Sequence, residues 1–211
     1  METRKIYNLI ILDESGSMDV IKRQAINGFN ETVQTIKAAQ AKHEEQEHFV
    51  SLITFNSEAI RTVYDKVAVS AIGILDEQTY LPNCCTPLYD AMGISLSALK
   101  YSVGKKDTVL VTIITDGEEN SSSEFTGKGV KTLVEELKEK GWVFTYIGTN
   151  QDVEKVAATI SVTNVMSFDY SAQGTQQMFE KESRARSRFF DRISECCNAP
   201  AEDYFEEKDE E

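Results

Sequence analysis

The sequence predicts a three-layer α/β protein, a mostly parallel sheet with helices on both faces and one antiparallel edge strand. Three observations carry this. Short continuous apolar runs recur along the chain (Ile6–Leu12, Phe49–Phe55, Thr108–Ile114 and Trp142–Ile147) and read as strands buried on both sides. Segments with apolar residues at helical spacing separate most of them, the order of a parallel sheet with helical crossovers. Asn56-Ser57-Glu58 reads as a short turn into Ala59–Asp65, whose alternation suggests a hairpin partner and hence one antiparallel strand.

In order, Ile6–Leu12 is the first strand and runs into a loop, DESGS. Met18, Ile21, Ala25, Phe29, Val33 and Ile36 then mark a long amphipathic helix to about Gln40. Val67–Leu75 is ambiguous between a short helix and an irregular segment, and Thr79–Pro87 is a loop. Asp90–Tyr101 reads as a helix, as does Thr126–Lys140, which stops at Gly141. Asp152–Thr159 is a short helix, Asn164–Phe168 a last strand, and Gly174–Cys197 a final helix whose arginines are expected on its exposed side. Residues 1–200 form one domain, and Ala201–Glu211 an acidic tail expected to be frayed or disordered.

The 211 residues, 41% of them hydrophobic, suffice for a single core. A net charge of −13 argues against nucleic acid and anionic lipid, both of which select Lys and Arg. No run approaches the roughly 20 apolar residues of a membrane-spanning helix, and the N-terminal apolar run ends in Asp-Glu, unlike a signal peptide. A cytoplasmic location is expected, with Cys84, Cys85, Cys196 and Cys197 reduced, since neither adjacent pair has zinc-ligand spacing. His43 and His48 lie five apart, the wrong interval for one helix face, and solvated positions are expected for both.

Chemistry concentrates in three loops. Asp13, Ser15 and Ser17 alternate after the first strand, with Gly16 permitting a tight bend. Thr86 stands in a Pro-containing loop before a helix, and Asp116 follows the strand Thr108–Ile114. Each has a plain structural alternative: the serines as helix caps, Thr86 as another cap, Asp116-Gly117 as a turn. Together they supply what a hard cation such as Mg2+ requires, oxygen donors at about 2.0–2.1 Å.

The set Asp13-x-Ser15-x-Ser17, Thr86 and Asp116, in this order, resembles the metal-ion-dependent adhesion site (MIDAS) of the von Willebrand factor type A (vWA) family, in its stand-alone bacterial form. The resemblance implies a Rossmann-like fold in which Ser15, Ser17 and Thr86 bind Mg2+ or Mn2+ directly, with Asp13 and Asp116 binding directly or through water. It also implies a protein partner whose Asp or Glu carboxylate completes the coordination, and no enzymatic activity. The chain departs from the family where Cys84 and Cys85 replace the small residues, often glycine, that precede the threonine; a thiolate there would favour softer ions. Two other readings stand beside this one. A Mg2+-dependent phosphohydrolase of the haloacid-dehalogenase type needs Asp-x-Asp, and Ser15 occupies the second position. A structural relic of the fold would bind partners without metal.

Overall fold

The computed structural model describes residues 3–149, 153–195 and 203–206. Six strands form one sheet: β1 (Arg4–Asp13), β2 (Gln46–Phe55), β3 (Ile60–Ala68), β4 (Thr108–Thr115), β5 (Val143–Thr149) and β6 (Asn164–Phe168). Their order is β3-β2-β1-β4-β5-β6, and every neighbouring pair is parallel except β2 and β3. The helices are α1 (Lys22–Lys42), α2 (Leu88–Lys100), α3 (Gly127–Glu139), α4 (Val153–Thr159) and α5 (Ala172–Glu195). This is the expected three-layer architecture with its antiparallel edge strand.

Alternation along the central strand sorts the layers. Ile6, Ile10 and Leu12 of β1 pack with Ala25 and Phe29 of α1 and with Met178 and Phe189 of α5. Leu9 and Ile11 face the other way, into a cluster with Leu96 of α2, Val134 of α3 and Ala157 of α4. Both faces of β1 are buried, which is why its sequence reads as an unbroken apolar run. The chain winds outward in one direction through β2 and β3 and in the other through β4, β5 and β6. The reversal falls between β1 and β4, whose register pairs Leu12 with Ile114 and sets Asp13 beside Thr115. Ligand sites of such sheets lie outside the carboxyl ends of the strands at this point.

Several expectations are corrected. The hairpin strand β3 continues to Ala68, and only Val69–Ala71 of the ambiguous segment is helical, as a 3-10 turn. His48 is not solvated. It lies on the β2 face that also carries Val50 and Leu52, is fully buried, and meets the Phe190 ring edge-on. His43 is half-buried at the end of α1, between Asp191 Oδ1 at 2.7 Å and Ser194 Oγ at 2.9 Å. Ser194 in turn donates to Glu45 and accepts from Gln46, so this is a polar tie between α1 and α5.

The arginines of α5 are not all on its exposed side. Arg186 is fully buried and pairs with Glu182 one turn earlier, itself 1% exposed. Its guanidinium also donates to Asn8 Oδ1 of β1 at 2.9 Å and Thr112 Oγ1 of β4 at 2.8 Å. Tyr204 and Phe205 are buried rather than frayed, and Tyr204 donates to Glu182 Oε1 at 3.2 Å. Asp203 and Glu206 beside them are exposed, and the remaining tail residues, with Cys196 and Cys197, lie outside the described residues. Among the described residues, no helix is long and apolar enough to cross a membrane.

Candidate metal centre

The five expected donors come from three loops that meet at the switch point. Asp13 ends β1 with no exposed surface. Its Oδ1 accepts the Ser15 N–H at 2.7 Å and its Oδ2 the Thr115 hydroxyl at 2.5 Å. Ser15 is buried and Ser17 exposed, with their hydroxyls 3.2 Å apart. Ser17 Oγ donates to Asp116 Oδ1 at 2.8 Å, joining the first loop to the loop after β4. The second loop is bound in by its backbone: Gly16 N–H donates to Cys84 O at 3.0 Å and Asn83 N–H to Glu14 O at 2.9 Å.

Thr86 completes the group. A point one Cα–Cβ bond off Gly117 lies 3.1 Å from Thr86 Oγ1, 3.8 Å from Ser17 Oγ and 3.9 Å from Asp13 Oδ2. Oxygens from the first two loops thus converge on one small volume beside the third, which any side chain at position 117 would fill, and Asp116 reaches the group through its bond to Ser17. Asp116 Oδ2 is buried without a hydrogen-bond partner, an arrangement that is costly unless a ligand satisfies it.

The structural alternatives fare poorly. Ser15 holds the cap position of the 3-10 turn Gly16–Ile21 but makes no capping bond. The amides at the start of α2 are met by others, Tyr89 N–H by Glu119 Oε2 at 2.9 Å and Asp90 N–H by Ser122 Oγ at 3.1 Å. Asp116 bonds Ser17, 99 residues away, rather than its own turn.

Burial pushes the Asp13 carboxyl up to about 6, against the opposing pull of its bonds from Thr115 and Ser15. Burial also raises Asp116, partly offset by the Ser17 hydroxyl. Two carboxylates whose ionised forms are disfavoured by desolvation, partnered by hydroxyls and an amide, form a site that gains from a cation. Among the described residues, no group of three or more His, Cys, Asp or Glu side chains is arranged to hold a metal ion. The donor set here is of another kind, two carboxylates and three hydroxyls, which fits a hard ion. Cys84 and Cys85 are free and exposed. The Cys84 thiol donates to Glu58 at 3.3 Å, an interaction that raises its pKa and disfavours the thiolate.

Sequence reasoning missed the residues that hold these donors in place. Thr115 fixes Asp13, the buried Tyr80 hydroxyl donates to Asp13 O, and Tyr170 donates to Ser17 O. Glu14, in the middle of the motif, is 1% exposed and takes the Arg61 guanidinium and the Leu81 amide. Asp90 accepts three successive amides, Ser123 to Phe125, and Glu119 accepts those of Tyr89, Ser121 and Ser122. These two carboxylates shape the loop after β4.

No family model and no curated protein sequence matches the chain. Solved structures do. The VWA domain of SpRpn10 superposes with a TM-score of 0.53 at 14% identity, over 83% of this chain and 94% of that one. The D319A mutant of the PilB minor pilin from Streptococcus sanguinis gives 0.57 at 11%, over 89% of this chain and 62% of that one. Proximal thread matrix protein 1 from the mussel byssus gives 0.55 at 12%, over 87% and 46%. This chain thus matches 46–62% of the length of the latter two. At such identities the likeness is one of architecture, and it establishes that the chain has a von Willebrand factor type A-like fold.

Proposed function

We propose that the chain is a non-enzymatic, cation-dependent protein-binding module of the cytoplasm. Asp13, Ser15, Ser17, Thr86 and Asp116 would hold Mg2+ or Mn2+, and a protein partner would bind through an Asp or Glu side chain. The observation that carries this is the convergence of Thr86 Oγ1, Ser17 Oγ and Asp13 Oδ2 on the open point beside Gly117. A hard cation there supplies a Lewis-acidic bridge between an acidic protein and an acidic ligand. The chain's own part is to present neutral hydroxyls, which leave such an ion electrophilic, and to keep two carboxylates close without saturating it. The vWA-like fold supports an interaction role. Ser15, in the place where a phosphohydrolase needs its acid, supports a non-enzymatic reading.

The test is affinity capture from native lysate in Mg2+ and in EDTA, with Asp116→Ala as the control bait. Partners retained in Mg2+ and lost both in EDTA and with the variant are expected. Partners indifferent to both changes would point to an interaction surface that does not use the metal.

A further inference from the structure

The charge around the site is partitioned. Asp19, Glu58 and Glu118 are exposed on three different loops around the donors. Asp19 follows Ser17 by two residues, Glu58 bonds Cys84 of the second loop, and Glu118 follows Gly117. The segments gathered there (13–20, 56–59, 79–87, 115–126 and 169–171) contain no Lys or Arg. Arg61, which reaches the first loop from β3, is engaged by Glu14. Cations collect instead at the amino ends of the strands, with Arg4 and Lys5 on β1, Lys42 at the end of α1, Lys105 and Lys106 before β4, and Lys140 before β5.

The same face carries apolar surface. Val20 is 68% exposed in the 3-10 turn that begins beside Ser17, and Leu81, 51% exposed, is tied by its amide to Glu14. Large aliphatic side chains left in water on two segments tied to the first loop fit contact with a partner.

We infer that the partner surface surrounds its Asp or Glu with Lys or Arg and sets an aliphatic side chain beside it. This rests on the cation-dependent reading above and specifies its ligand. A carboxylate in an acidic surround would meet the bound cation but be repelled by Asp19, Glu58 and Glu118. One in a basic surround is attracted by all three, and like-charge juxtaposition is an effective means of rejecting wrong partners. Val20 and Leu81 then offer apolar area that the charges do not.

The probes are synthetic peptides with one central Glu next to Leu, flanked by Lys in one and by Glu in the other, and the Lys peptide with Gln for its central Glu. Affinity for the full chain is read by fluorescence anisotropy in Mg2+ at low salt. The Lys-flanked peptide is expected to bind about tenfold tighter than the Glu-flanked one, three exposed ion pairs contributing about twofold each. The triple variant Asp19→Lys/Glu58→Lys/Glu118→Lys should invert that order, and Val20→Ser/Leu81→Ser should weaken the Lys peptide by about tenfold. Equal affinities for the two flanked peptides, no inversion in the triple variant, or no binding of the Lys peptide would overturn the inference. Equal binding of the Glu and Gln peptides in Mg2+, or of the Glu peptide in Mg2+ and EDTA, would instead overturn the cation-bridge reading on which it rests.

Discussion

Arg186 makes a severe and specific prediction. Its guanidinium is fully buried, 2.8 Å (Nε) from Glu182 Oε1, and also bonds Asn8 and Thr112 in mid-sheet. In Arg186→Met an unbranched apolar chain replaces the aliphatic stem, but Glu182, 1% exposed, loses its cation. Breaking a buried ion pair by removing one partner costs about 3–5 kcal/mol. Thr112 loses less, because Thr145 Oγ1 still donates to it at 3.1 Å. The uncompensated carboxylate therefore dominates. Removing both charges in Arg186→Met/Glu182→Met leaves Asn8 Oδ1 and the Tyr204 hydroxyl short of a partner, at about 1 kcal/mol each. Urea unfolding followed by circular dichroism should place the single variant about 3–5 kcal/mol below wild type and the double variant within about 2 kcal/mol of it. Mg2+ affinity of the folded variants should be unchanged, since Asn8 lies five residues before Asp13 on the strand. A single variant within about 1 kcal/mol of wild type, or a double variant no better than the single, would refute the reasoning.

Three further outcomes are expected. Gly117→Ala puts a methyl 3.1 Å from Thr86 Oγ1; calorimetry should show Mg2+ binding weakened by about tenfold to a hundredfold, with little change in the unfolding midpoint. Gly28→Ala drives a Cβ to 2.1 Å from the buried Phe179 ring, so α1 and α5 must separate at a cost of about 1–3 kcal/mol, recovered in part by adding Phe179→Leu. Burial holds His48 near 3, below its ordinary 6.5, with Arg186 and His43 adding to the shift. The unfolded chain therefore takes up a proton that the folded one refuses; His48 supports stability fully above pH 6.5 and loses that support on acidification, by about 1.4 kcal/mol per pH unit. Unfolding free energies of His48→Asn should show a shallower decline than wild type between these limits, and parallel profiles would contradict the assignment.

What the sequence made legible follows from how locally each signal is written. Strands buried on both faces must be apolar at every position, so β1 and β4 stand out from single-sequence periodicity. The candidate donors stand out because hydroxyls and carboxylates at fixed spacing after such strands are chemically unusual. The supporting residues do not. Thr115 reads as an ordinary strand former, Tyr80 and Tyr170 as apolar bulk, and Glu14 as one more acid in an acidic loop until Arg61, 47 residues away, is brought to it. For two corrections a signal was present. Glu182 and Arg186 fall in the stripe of Met178, Phe179, Ala185 and Phe189, so helical spacing alone marks them as buried. His48 shares its strand face with Val50 and Leu52, and alternation marks it likewise. In both cases polarity masked position. Burial of Tyr204 and Phe205 has no comparable local signal in an acidic tail.

The most direct test of the account is calorimetric titration of Mg2+ and of Mn2+ into the wild-type chain and into Asp13→Ala. Saturable binding of one ion per chain is expected in wild type, and its loss in a variant that keeps the wild-type circular dichroism spectrum. Equal affinity in the two proteins, or no binding in wild type, would contradict the assignment of Asp13, Ser15, Ser17, Thr86 and Asp116 as a metal centre.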